Sequence, residues 1–163
     1  MPNKAADKTI LKELRAITND KANWKTAIDD VAAKLGKQYS EDVKAKALWL
    51  LGEIGLHYPS LLQPYIKQIA DYLRDDNPKL RARSVNALGR IGRADKALIL
   101  PYFEAVIKMC SDTAETVRLA FVWACENIAT NAPELFCDKL DLFYALISDK
   151  GGEYESKHLK CFE

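Results

Sequence analysis

Apolar positions recur at helical spacing along this chain, and the whole pattern then recurs every 37 residues. In the segment that opens at Val43, apolar side chains fall at Val43, Ala47, Leu50, Leu51 and Ile54. That spacing sets them on one face of an α-helix. The same face returns from Leu80 and from Val117, in VKAKALWLLGEIG, LRARSVNALGRIG and VRLAFVWACENIA, whose starts are 37 residues apart. A fixed period of this length marks stacked repeats, because one helical hairpin cannot bury its own apolar face and needs a neighbour against it.

The register extends into the intervening segments. Pro64-Tyr65-Ile66 matches Pro101-Tyr102-Phe103, Ile69 aligns with Val106 and Phe143, and Leu73 aligns with Cys110 and Ile147. Asp75, Asp112 and Asp149 close the same helix in three repeats. Each unit therefore reads as a helix, an Asp-containing turn and a second helix. First helices are expected near 22–36, 60–74, 97–111 and 134–148, and second helices near 42–57, 78–92, 114–130 and from 153 to the end. Residues 5–18, with Ile10, Leu14 and Ile17 on one face, read as an N-terminal cap helix. The whole of 1–163 is then one all-α domain, with repeats near 22–57, 60–92, 97–130 and 134–163. Asn77-Pro78 has the form of an N-cap followed by proline at the first helical position. Asp112 with Glu115 three residues on has the form of a capping box. Gly52, Gly55, Gly89 and Gly92 stand late in two helices, where glycine costs about 1 kcal/mol. Close approach of the next repeat is the expected reason, with helix termination at Gly55 and Gly92.

Composition narrows the functions. A chain of 163 residues can bury roughly 70% of its unfolded surface and needs no staples. Its 24 basic and 23 acidic side chains give a net charge of +1, so attraction to nucleic acid or an acidic membrane must come from a local patch. No apolar run approaches the roughly 20 residues of a membrane span. The N-terminus lacks the apolar core of a signal peptide, so a cytoplasmic protein is expected. Cys110, Cys125, Cys137 and Cys161 form no CxxC pair, which speaks against a zinc or redox motif. Cys110 and Cys125 fall on core positions. No cofactor and no metal site is expected.

On the residues DDNPKLRARSVNALGRIG and its two copies, with the preceding LLQPYIKQIADYL and LILPYFEAVIKMC, the chain resembles the HEAT-repeat family over most of residues 22–163. The resemblance implies a right-handed α-α superhelix of about four hairpins, with second helices lining the concave side. The last repeat departs from the pattern: Tyr154, His158 and Cys161 stand where Val117, Phe121 and Ala124 would repeat, and the chain ends about a turn short. A shortened chain, or an end covered by another copy, is the expectation, and self-association through that repeat goes with it. Arg81, Arg118 and Lys44 sit just inside the second helices near the turn aspartates. They read as a structural Asp–Arg ladder between repeats, with a phosphate-binding row as the other reading.

At about 100° per residue, Trp49 points roughly 200° away from the core stripe, toward the groove. Its equivalents are Asn86 and Trp123; one turn on come Glu53, Arg90 and Asn127, while Arg83 and Arg93 add charge in the middle repeat. This set presents two aromatic plates around a basic strip, a composition enriched at binding hot spots. The sequence leaves open whether the tryptophans stand in the groove or fold into inter-repeat packing. Trp24, in a first helix, reads as core. The leading function is a non-catalytic scaffold that binds a protein or peptide segment in the groove. The same set also resembles the HEAT-like alkylpurine DNA glycosylases. That resemblance implies duplex DNA as partner and Trp49, Glu53 and Trp123 as catalytic-site residues, with Arg90 on the backbone. Glu53 stands where that family has aspartate, and Asn86 where it has arginine. His57 and His158 are not followed by glutamate, so the His-Glu metal ligands of the HEAT-type hydroxylases are missing. There is no P-loop, GxGxxG or nucleophile elbow.

Overall fold

The computed structural model describes residues 4–148. The expected helix from 153, with Tyr154, His158 and Cys161, and the turn residue Asp149 before it, lie outside the described residues. Within them the chain is helical throughout: α1 (Lys4–Asn19), α2 (Trp24–Ala33), α3 (Glu41–His57), α4 (Ile66–Asp71), α5 (Pro78–Ala94), α6 (Lys96–Ile99), α7 (Phe103–Ile107), α8 (Glu115–Ala129) and α9 (Leu140–Ser148). The long second helices α3, α5 and α8 lie side by side and form the main packing seams, with α1 and α2 against α3. This is the all-α helical-repeat fold that the 37-residue period predicts.

The second helices match their expected spans closely, because their starts are well specified. Ser40 accepts a hydrogen bond from the Val43 N–H at the start of α3, and Asn77 Oδ1 accepts one from the Lys79 N–H at the start of α5, where Pro78 stands first. The capping box expected at Asp112 and Glu115 does not form. Asp112 lies outside α8; its Oδ1 accepts from the Ala114 N–H at 2.9 Å, and both its oxygens also receive Arg81. Asp75 makes the same local turn one repeat earlier, accepting from the Asn77 N–H at 2.9 Å. These are aspartate turns that lead into a helix rather than caps on it.

The first helices are broken where unbroken ones were expected. Tight 3-10 turns at Pro59–Tyr65 and Leu100–Tyr102 precede α4 and α7, and Tyr72–Arg74 and Lys108–Ser111 follow them. Pro64 and Pro101 occupy the same repeat position, and each removes an N–H and crowds the preceding turn. The core is nonetheless continuous. Leu48, Leu51, Val85, Leu88, Phe121 and Ile128 are fully buried along the second helices, against Ile69, Val106 and Phe143 from the first.

Glycine sets the spacing of the second helices. A Cβ on Gly52 would stand 2.8 Å from Ala87 Cα, and one on Gly89 2.7 Å from Ala124 Cα, so the same contact repeats after 37 residues. Gly55 and Gly92 do not end their helices, which run on to His57 and Ala94. They too are packing positions: a Cβ on either would meet Ile91 or Ile128, again one repeat apart.

The ladder expectation holds for Arg81. Its Nε and Nη2 donate to Asp112 at 2.8 Å, and its Nη1 to the carbonyls of Asp75 and Asp76. Arg118 donates to the Asp112 and Thr113 carbonyls. Hydrogen bonds from Arg81 hold the Asp112 carboxyl below its usual range. Cys125 is buried as expected, and desolvation pushes its thiol well up; Cys110 is only half-buried. Trp24 is core, its Nε1 donating to the Ile17 carbonyl at 2.8 Å. His57, at the end of α3, places its ring 5.5 Å from that of Trp24. No helix among the described residues is long and apolar enough to cross a membrane.

Candidate functional site

Residues one period apart on the second helices stand side by side, so the solvent-facing positions of α3, α5 and α8 form rows across one face. Two adjoining hollows lie there. The larger, about 710 Å³, runs between α5 and α8 and is lined by Lys79, Ala82, Arg83, Asn86 and Arg90 on one side, and by Thr116, Leu119, Val122 and Trp123 on the other. The smaller, about 420 Å³, is lined by Leu11 and Arg15 of α1, Asp42, Lys46 and Trp49 of α3, and again Lys79 and Arg83. Sharing Lys79 and Arg83, the two make one trough. Trp49, Asn86 and Trp123 all line it, as the period predicts.

At its centre is Arg90. Its Nε lies 2.6 Å from Glu53 Oε1, and both side chains are mostly buried. Its guanidinium carbon is 4.5 Å from the Trp123 ring centre and 5.9 Å from that of Trp49. Attraction of this cation to ring faces contributes about 0.5–2 kcal/mol per contact. The glycine seams make this cluster reachable. Gly89 and Ala124 adjoin Arg90 and Trp123 in sequence, and a Cβ on Gly52 would stand only 3.5 Å from Arg90 Cδ. Burial lowers the Arg90 pKa, with Glu53 opposing the shift and Arg83 adding to it. Lys46 Nζ sits 4.0 Å from the Trp49 ring centre, and its pKa is lowered by burial and by the charges of Arg15 and Arg83. Both tryptophans are thus half-buried at the trough wall, each already faced by a cation of the chain itself.

Two expected members fall outside this arrangement. Asn127 is 7% exposed, and its Nδ2 donates to the Trp123 carbonyl four residues back, so it serves its own helix. The shorter amide folds inward where Arg90 reaches across. Arg93 is exposed and lines neither hollow; its carbonyl accepts from Asn131. Conversely, Arg15, Asp42, Lys46, Lys79 and Leu119 belong to the trough and were not singled out from sequence. The signal was available: Asp42, Lys79 and Thr116 form one 37-residue row, and Lys46, Arg83 and Ala120 another. Lys79 Nζ pairs with Asp42 across that first row.

Fold and trough together define a helical-repeat protein whose second helices line a solvent-facing trough. Residues 41–91 match the family model described as HEAT-like repeat, so the resemblance to HEAT repeats holds over α3 through most of α5. Neither the curated proteins nor the solved structures gave a match.

Proposed function

We propose that this chain is a non-catalytic scaffold that holds a protein or peptide segment along the trough of α3, α5 and α8. HEAT repeats commonly mediate protein interactions, which supports the class. The observation that carries the reading is the engagement of Arg90 with Glu53, Trp49 and Trp123. These groups brace one another into a rigid wall, and rigid aromatic and arginine anchors are what give interfaces most of their affinity. A cytoplasmic location goes with this reading. The test compares wild type with the Trp49→Ala/Trp123→Ala variant in capture from nuclease-treated lysate. The variant is expected to lose its captured protein while keeping its helical circular dichroism. Equal capture by both would remove the trough from the function.

The second reading is duplex DNA, with base excision in its strongest form. It is favoured by Arg15, Lys46, Lys79 and Arg83 lying on one face of a chain whose net charge is only +1. It requires affinity that falls steeply with salt, through release of counterions. Release of a methylated purine that depends on Glu53 would put this reading first; no retention of a duplex at about 50 mM salt would end it.

A further inference from the structure

Charged residues on the trough face meet their counterparts one repeat on, and the sequence makes most of these meetings complementary. Asp42 faces Lys79, and Glu53 faces Arg90; both pairs form ion pairs. Lys46 faces Arg83, two like charges, and the next position in that row is Ala120. Arg15 of α1 borders the same hollow, and neither it nor Arg83 forms an ion pair among the described residues. Arg15 and Arg83 therefore both act on Lys46 as like charges, and Glu53 offsets them only in part. Next to them, the larger hollow has an apolar floor. Leu119 is 43% exposed there, beside Val122. Two buried polar atoms at its edge, Asn86 Oδ1 and Arg90 Nη1, have no hydrogen-bond partner among the described residues.

Building on the scaffold reading, we infer that the occupant of this trough is an acidic peptide segment with an apolar anchor. Its carboxylates would neutralise Arg15, Lys46 and Arg83, and an apolar side chain would cover Leu119 in the α5–α8 hollow. A phosphodiester backbone suits the face less well. Asp42 and Glu53 interrupt the basic track, the tryptophans are faced by Lys46 and Arg90 rather than open for base stacking, and sugar-phosphate would leave Leu119 without an apolar partner.

The experiment is selection of a random linear peptide library of about 12 residues, displayed on phage, against the full chain. Selected sequences are then measured by fluorescence anisotropy beside a 20-base-pair duplex. Enrichment of Asp and Glu together with Leu, Ile or Phe is expected. Arg83→Gln should weaken the selected peptides about tenfold or more, whereas Lys67→Gln, a solvated residue paired with Asp71 away from the trough, should not. Enrichment of neutral or basic peptides overturns the acidic assignment and leaves the scaffold standing. Failure to enrich any peptide overturns both. Duplex binding tighter than any selected peptide transfers the trough to nucleic acid. If Arg83→Gln binds as wild type does, the cationic wall is not the contact.

Discussion

Replacing Gly89 with alanine tests the seam on which the trough depends, and two effects of opposite sign compete in it. Alanine is the better helix former by about 1 kcal/mol, so an unhindered site in mid-helix would gain that much. At 89, however, the new methyl would stand 2.7 Å from both Cα and Cβ of Ala124. Carbon atoms in contact rest about 3.5–4.0 Å apart, so α5 and α8 must separate by roughly 1 Å. No rotamer change relieves this, since the obstructing atom is main chain. Overpacking a filled seam costs about 1–3 kcal/mol. Because the clash is with backbone, the upper part of that range applies, and the net effect is a loss of about 1–2 kcal/mol. For a chain of 163 residues this lowers Tm by about 2–8 °C. Thermal unfolding followed by far-ultraviolet circular dichroism measures it, with urea unfolding as a check. Gly52→Ala should behave alike, its methyl meeting Ala87 Cα at 2.8 Å. A rise in Tm for either variant would mean that propensity dominates and that the second helices are not held at glycine distance.

Asp112→Asn should retain the bond from the Ala114 N–H and lose the charge partner of Arg81. The folded-state carboxyl is held below its ordinary value of 3.8, so the pair's stabilisation is complete above the unfolded-state pKa and is lost as pH falls through the folded one. The wild type should exceed the variant by about 1.5–3 kcal/mol near neutrality, and the gap should close as pH falls through the unfolded-state value and then the lowered folded-state one; a gap that stays constant on acidification refutes the ion pair. Cys125 should resist iodoacetamide in the native protein while Cys137 is labelled, because its thiol is buried and its pKa raised. Peptide mass spectrometry reads both sites, and native labelling of Cys125 would place that side of α8 in solvent.

The second helices were legible because local and long-range signals agree there. Ser40, Asn77 and Pro78 fix starts, the apolar face fixes rotation, and the 37-residue period fixes which residues become neighbours. The first helices are less so, since Pro64 and Pro101 mark the register in sequence while their missing N–H groups favour 3-10 geometry in the surrounding turns. Aspartate 112 misled for a related reason. A capping box and an aspartate turn share their first residue, and only the spatial position of Arg81 decides which bonds the carboxylate makes.

For the candidate site, position along the period proved a better guide than residue type. Trp49, Asn86, Arg90 and Trp123 come together because their rows run side by side across glycine-spaced helices. Asn127 occupies the same row as Glu53 and Arg90 yet is buried, its amide donating to the Trp123 carbonyl of its own helix. Net charge concealed the rest. A total of +1 excludes a field around the whole molecule, but in a stacked-repeat protein electrostatics is written between equivalent positions, and only a comparison of Lys46 with Arg83 shows a meeting of like charges. In complementary rows such as Glu53–Arg90 the partner charge offsets part of the desolvation that burial imposes. A like-charged row weakens the stack, and an anionic partner is the simplest agent that would reverse the sign of that contribution.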